Sequence, residues 1–521
     1  MANNDCVDLL IIGGGINGAG IARDAAGRGH KVVLVEQGDL ASATSSASTK
    51  LIHGGLRYLE LFEFRLVREA LIERERLLAI APHIIRPMRF VLPHVAGLRP
   101  RWQIRAGLFF YDHMGGRRRL PASQGVKLAG SEYGKALKDT ISHGFMYSDC
   151  WVDDSRLVVL NAMDAAQRGA SIRPRTKFVA ATAHDGLWHA QIEDQRSGAR
   201  SDIAARAIVN AAGPWVEEIV QRIAGVSEDS QVRLVKGSHI VVPRMYAGEH
   251  AFLLQNPDGR VVFTIPYETQ YTLIGTTDVP FSADPASVGI SDDEITYLCD
   301  TVNGYFRQRI TPKDVRWTYA GVRPLSDDEA TSASKVTRDY KLELAEGAES
   351  PALLSVFGGK ITTYRRLAEM ALQKLQPFIG GSNHGGSSQG WTDKAPLPGG
   401  DLPRDDFDTF LQGVKRRWPF LPDALAQRLA RGYGTRIGDI VGAARRMEDL
   451  GDCFGAGLTQ AELEYLQAHE WAQSAQDILW RRTKLGLHMT AEERAHLDQH
   501  LARHPGEPRS GSRAAPVSAA T

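Results

Sequence analysis

Cysteine is scarce: the 521 residues hold only Cys6, Cys150, Cys299 and Cys453, far apart, with no C-x-x-C pair and no histidine at zinc spacing. That excludes a disulfide scaffold and a metal site, and fits a reducing compartment. An excess of either charge is also missing. The 62 Lys and Arg against 61 Asp and Glu leave a net charge of +1, which removes a global electrostatic argument for nucleic-acid binding. Apolar runs never reach the roughly 18 residues that a spanning helix needs, although attachment to one bilayer face stays open. Met1–Asp5 is polar and lacks the basic start and cleavage site of a secretory signal, so the chain reads as cytoplasmic.

What is present is the composition of a folded chain, 43% hydrophobic with 51 Gly and 24 Pro for turns, long enough for roughly three to four domains. Val7 to Ile12 is a continuous apolar run into Gly13-Gly14-Gly15, Asn17 to Arg28 reads as a helix, and Lys31 to Val35 is a second apolar strand ending at Glu36. Gly13-x-Gly15-x-x-Gly18 therefore stands where a dinucleotide fingerprint has physical meaning. The glycines admit a sharp turn and a pyrophosphate, the helix amides face the phosphates, and Glu36 is placed for ribose hydroxyls. Ile16, Asn17 and Gln37 flank these groups.

The fingerprint cannot separate FAD from NAD, because both share the adenosine diphosphate half. Three further segments look like strand ends opening on a ligand: Thr44 to Tyr58, Val209 to Trp215, and Val356 to Thr363. In the third, Gly358-Gly359-Lys360-Ile361-Thr362 precedes a helix expected over Tyr364 to Leu375, whose N-terminal dipole suits the N1/C2=O edge of a reduced flavin. One amphipathic helix is expected over Leu59 to Ile80, and β character over Ile203 to Val209, Val232 to Val242, Arg260 to Pro266, Tyr271 to Ile274 and Leu353 to Phe357. Ile379 to Gly390 reads as a linker, Asp405 to Leu501 as helical, and Pro505 to Thr521 as a disordered tail.

With these segments in view, the sequence closely resembles the aerobic FAD-dependent glycerol-3-phosphate dehydrogenases of bacteria, within the D-amino-acid-oxidase-like flavoproteins. The resemblance runs from about Cys6 to Arg482. It includes Ser45 to Tyr58, Tyr147 to Asp154, Lys236-Gly237-Ser238-His239, Gly275-Thr276-Thr277-Asp278, Gly321 to Leu325, Thr337 to Tyr340, Phe357 to Tyr364, Leu397 to Gly400 and Asp477 to Lys484. It implies an α/β fold: a Rossmann-like FAD-binding domain (1–82, 151–230, 315–378), an inserted α+β substrate domain (83–150, 231–314) and a helical C-terminal domain (391–504), before the tail 505–521. FAD contacts are expected from Gly13 to Gly18, Glu36, Gln37, Thr44, Ser45, Ser46, Lys50, Leu51, His53, Gly54, Gly55, Ala212, Gly213, Trp215 and Gly358 to Thr362.

The implied reaction oxidises sn-glycerol 3-phosphate to dihydroxyacetone phosphate, with the C2 hydride going to flavin N5 and the electrons to a membrane quinone. Arg57, Arg323 and Arg338 are the candidates for gripping the phosphate, with Tyr58, His239 and Lys360 beside them. The base that takes the C2 hydroxyl proton is His239, His53 or Lys360, with Arg323 as a helper; the residues alone do not choose. Leu98 to Leu120 interleaves Arg99, Arg101, Arg105, Arg117, Arg118 and Arg119 with Trp102, Phe109 and Phe110. It reads either as a solvated basic face or as a surface for anionic lipid, consistent with a peripheral place on the inner face of the cytoplasmic membrane. A homodimer is expected by resemblance. The competing readings are an oxidase using oxygen, an amine oxidase on the same scaffold, and a non-catalytic FAD-binding redox sensor.

Overall fold

The computed structural model describes residues 6–95, 97, 99–116, 119–225, 232–326, 339–345, 351–380, 390–403 and 406–504. Arg117, Arg118, Arg338, most of the expected linker and the expected tail lie outside them. The expected βαβ unit is formed by β1 (Val7–Ile12), α1 (Ile16–Gly27) and β2 (Val32–Glu36). Because β1 pairs in parallel with both β2 and Arg200–Asn210, it is central, and its Leu9 to Ile11 are fully buried. This explains an unbroken apolar run rather than an alternating one. The full order is Lys341–Ala345, Ala352–Phe357, Arg200–Asn210, β1, β2, Ser171–Pro174. Helices α1, Asp154–Gln167 and Tyr364–Ile379 cover one face, and the hairpin Thr176–His184 with Leu187–Asp194 helps cover the other.

Three parallel strands end along one edge of this sheet, at Gly13, Ala211 and Gly358. That edge is where an open α/β sheet receives its ligand.

A second, ten-stranded sheet carries the helix Asp292–Tyr305. Two strands whose residues fall within the expected FAD-domain ranges pair into it. Leu51–Ile52 pairs with Trp151 and Cys150, and Trp317–Ser326 runs antiparallel to Val232–Pro243 from Ser326↔Val232 to Trp317↔Val241. A strand's partner is fixed by non-local pairing, which local patterning does not carry.

The single helix expected over Leu59 to Ile80 is also two pieces, a tight 3₁₀ segment Leu56–Leu61 and an α-helix Phe64–Ile80. Phe62 turns the chain between them at φ 59°, and the Glu63 amide donates back to the Tyr58 carbonyl (3.1 Å). The apolar spacing runs unbroken through this corner, so periodicity could not reveal it. The corner presents Arg57 and Tyr58 to the site. The C-terminal part is helical as expected, with Phe407–Arg417, Asp423–Tyr433, Gln460–Glu470 and Ala491–Arg503.

Candidate active site

At the C-terminal edge of the first sheet lies a cavity of about 400 Å³ lined by Gly13, Gly15, Ile16, Asn17, Glu36, Gln37, Thr44, Ser45, Ala212, Gly213, Trp215, Gly358 and Gly359. It falls within the usual range of ligand sites. The glycines at its floor cannot be replaced: a Cβ on Gly18 would come within 2.0 Å of the Gly13 carbonyl oxygen, and one on Gly13 within 2.4 Å of the Ala211 oxygen. On Gly15, by contrast, a Cβ meets only the Ser45 hydroxyl, at 3.1 Å, so this glycine leaves open backbone for a ligand. The Gly14 and Gly38 amides donate to the two carboxylate oxygens of Glu36, each at 2.7 Å. The Ile16 amide at the helix start donates to Ser45 Oγ (3.0 Å). Burial raises the Glu36 pKa, and the two amides oppose that shift. The side-chain oxygen of Asn17 is buried here without a hydrogen bond while its nitrogen donates to the Gly358 carbonyl (3.2 Å). A tight glycine turn, a helix N-terminus and a carboxylate at the end of the second strand match what the adenosine diphosphate half of FAD requires.

A second cavity of about 370 Å³ shares Ser42, Ala43, Thr44, Pro214 and Trp215 with the first and adds Ser46, Trp317, Tyr319, Trp480 and Arg481. The ammonium of Lys50, a residue expected against the cofactor, is fully buried. It donates to Asp154 Oδ1 (2.7 Å) and to the Ser46 carbonyl (3.0 Å), pinning the loop from below. Leu51 is a buried strand residue. The His53 amide donates to Thr362 Oγ1 (3.2 Å), which ties the flavin loop to the Ile361–Thr363 turn. The Gly54 amide donates to Tyr111 Oη (2.8 Å), and that hydroxyl donates to Asp149 (2.7 Å).

The substrate-end candidates converge on one spot. Lys360 Nζ lies 3.7 Å from the Tyr58 ring centroid and beside Gly55. Arg323 Nη1 donates to Asp278 Oδ1 (2.5 Å), and Arg57 Nη1 lies 4.0 Å from the other oxygen of that carboxylate. His239 is fully buried, stacked on Tyr319 with centroids 4.7 Å apart, and its Nε2 lies 3.0 Å from Thr49 Oγ1. Burial, then the positive charges of Arg323 and Lys50, hold its pKa well below the usual imidazole value. Its Nδ1 is buried without a hydrogen bond.

Sequence reasoning matched Asp477 to Lys484 to the family but gave that segment no role. Arg481 and Arg482 reach the loop after Glu36, where Asp39 accepts from Arg481 Nε (2.6 Å) and from both Arg482 Nη groups (2.7 and 2.8 Å). Asp477 accepts from Arg175 Nη2 (2.6 Å), whose amide donates to the Gly38 carbonyl (2.7 Å). Lys484 donates to Ser155 Oγ (2.8 Å) next to Asp154. Asp39 also escaped notice because a lone Asp after a strand reads as an ordinary turn residue.

Residues 8–365 match the family model described as FAD dependent oxidoreductase, and residues 391–502 match the C-terminal domain of alpha-glycerophosphate oxidase. The chain is 53% identical to glycerol-3-phosphate dehydrogenase of Pseudomonas aeruginosa, over 96% of each chain. It is 50% identical to D-erythritol 1-phosphate dehydrogenase of Brucella abortus, over 95% of this chain and 97% of that one. Among solved structures, glycerol-3-phosphate dehydrogenase from Bacillus halodurans complexed with FAD aligns over 98% of this chain and 97% of its own, with a TM-score of 0.73 at 26% identity. The family match, the cradle between Gly13 and Glu36 and a C-terminal unit that completes it agree, and the chain belongs to the FAD-dependent oxidoreductases, within the glycerol-3-phosphate dehydrogenase family.

Proposed function

We propose that the protein oxidises sn-glycerol 3-phosphate at C2 to dihydroxyacetone phosphate. Convergence of Arg57, Arg323 and Lys360 beside the flavin loop carries this reading, because three permanent or near-permanent cations suit a doubly charged phosphate. When bound, FAD supplies the hydride acceptor. Arg57 and Arg323 hold the phosphate; Arg338, the third candidate, lies outside the described residues. Lys360 and Tyr58 close one side of the pocket. His239 takes the hydroxyl proton, since an imidazole held neutral by burial and by Arg323 keeps a lone pair through the physiological range. Thr49 fixes the ring. Anaerobic addition of sn-glycerol 3-phosphate to the yellow holoenzyme should bleach the flavin while glycerol and a D-amino acid leave it oxidised. A flavin unmoved by the phosphate ester rejects the assignment.

A second reading of substrate length comes from the Brucella relative, named for D-erythritol 1-phosphate; the same cuvette with that ester decides between them. For the electrons, we propose a membrane quinone, reached from a peripheral position on the inner face of the cytoplasmic membrane. The large exposed apolar side chains of the described residues, Phe62, Phe64, Trp102, Phe109 and Phe110, lie on two adjoining segments. Arg99 pairs with Glu60 between those segments (3.3 Å). Phe62 and Trp102 are 79% and 70% exposed, at the depth and charge pattern of a headgroup layer, and no helix of the described residues is long and apolar enough to cross. Rapid oxygen uptake without quinone would favour the oxidase reading. The homodimer implied by resemblance is checked by sedimentation of the detergent-solubilised enzyme.

A further inference from the structure

A carboxylate stands inside the proposed phosphate site. Asp278 is nearly buried, with a side chain 7% exposed, and it faces both guanidinium groups: Oδ1 accepts from Arg323 and Oδ2 lies 4.0 Å from Arg57. The segment carrying it is fixed from behind. Thr277 Oγ1 donates to Glu294 Oε1 (2.7 Å) and accepts from the Ser238 amide (2.9 Å), and Glu294 pairs with Lys236 Nζ (2.7 Å). Arg323 is just as constrained. Its Nη2 donates to Thr276 Oγ1 (3.3 Å), and it lies so close over Gly237 that a Cβ there would come within 2.5 Å of Nη2. Neither partner is a mobile surface side chain that swings away when an anion enters.

Such a fixed negative charge works against anion capture. At about 6 Å and an effective dielectric constant of about 20 to 40, it weakens binding of even a single negative charge about ten- to a hundredfold. We propose that Asp278 is a positioning and specificity residue. It holds Arg57 and Arg323 convergent before substrate arrives, and its charge sets the anion affinity so low that free inorganic phosphate does not occupy the site. A phosphate ester with a carbinol overcomes the same repulsion because its carbinol end also reaches His239 and the cofactor; inorganic phosphate has no such second set of contacts. The inference rests on the reading of Arg57 and Arg323 as phosphate ligands.

The test uses the holoenzyme and competitive inhibition by inorganic phosphate. Asp278→Asn, nearly isosteric, should tighten phosphate inhibition about tenfold or more and lower kcat by a similar factor without raising KM for the ester. A merely structural role would weaken phosphate binding and raise KM instead. Asp278→Glu restores the charge at a shifted position, so it should return phosphate inhibition to the wild-type level while kcat stays low. Flavin absorbance and thermal melting verify that each variant is folded, and Asp278→Ser replaces Asp278→Asn if the latter does not fold. Phosphate inhibition unchanged or weakened in a folded neutral variant overturns the proposal alone. Unchanged KM for the ester in both Arg57→Ala and Arg323→Ala sinks the phosphate site itself and this proposal with it.

Discussion

The two ends of the site are built from different materials. The dinucleotide end is made of backbone: glycines that leave no room for a Cβ, a helix start, and two amides on Glu36. The substrate end is made of side chains drawn from distant segments, where Arg57, Asp278, Arg323 and Lys360 meet only after both sheets have formed. A backbone-built site tolerates no bulk, whereas a side-chain-built one tolerates bulk but not loss of charge. This contrast predicts how each end fails.

The largest effect should come from Gly18→Val, whose branched side chain meets the Gly13 carbonyl. The purified variant should carry no flavin, and a normal visible spectrum would break the comparison. Arg323→Ala should keep the flavin spectrum and lose kcat/KM by about a thousandfold or more, as expected when one member of a buried, hydrogen-bonded charge group is removed. Stopped-flow reduction of the flavin measures it. Arg482→Met leaves Asp39 with Arg481 as its remaining described partner, and should cost about 3 kcal/mol in denaturant unfolding while weakening FAD retention. A variant with wild-type stability would show that the C-terminal unit is not needed by the cofactor end.

The smallest effect is a pH dependence of opposite sign beside the two sheets. In the substrate domain, burial pushes His250 down to about 4. The unfolded chain takes up this proton below the ordinary imidazole value of 6.5, and the fold does not until about 4. The histidine's stability contribution is therefore complete above pH 6.5 and is lost as pH falls towards 4. At the cofactor end, Glu36 is raised by burial, so its strain is greatest at neutral pH and eases on acidification. His250→Phe should flatten the slope of unfolding free energy across that window by up to about 1.4 kcal/mol per pH unit, seen in urea titrations at stepped pH.

The same contrast explains what could be read before folding. Gly13 to Glu36 form a local motif whose spacing alone states its geometry, and the strands flanking it lie within a residue or two of their expected bounds. The substrate end has no local motif. Arg57 and Arg323 were singled out through family resemblance, whereas Asp278 sat within a quoted segment and received no role, because an Asp is conspicuous only once two guanidinium groups face it. Strand Trp317–Ser326 went unforeseen for the same reason: its partner is set by tertiary pairing. Lys50 was legible as part of the flavin loop, but not as the buried partner of Asp154.

The grip of Arg481 and Arg482 on Asp39 has a consequence in time. The chain emerges from the ribosome with its N-terminus first, so β1, α1 and β2 are free to pair hundreds of residues before the arginines that secure the loop behind Glu36 exist. Stable cofactor retention must then wait for nearly the last stretch of synthesis. A nascent or truncated chain would present the whole fingerprint yet hold its flavin loosely, and yellow colour would report that translation had run to the end.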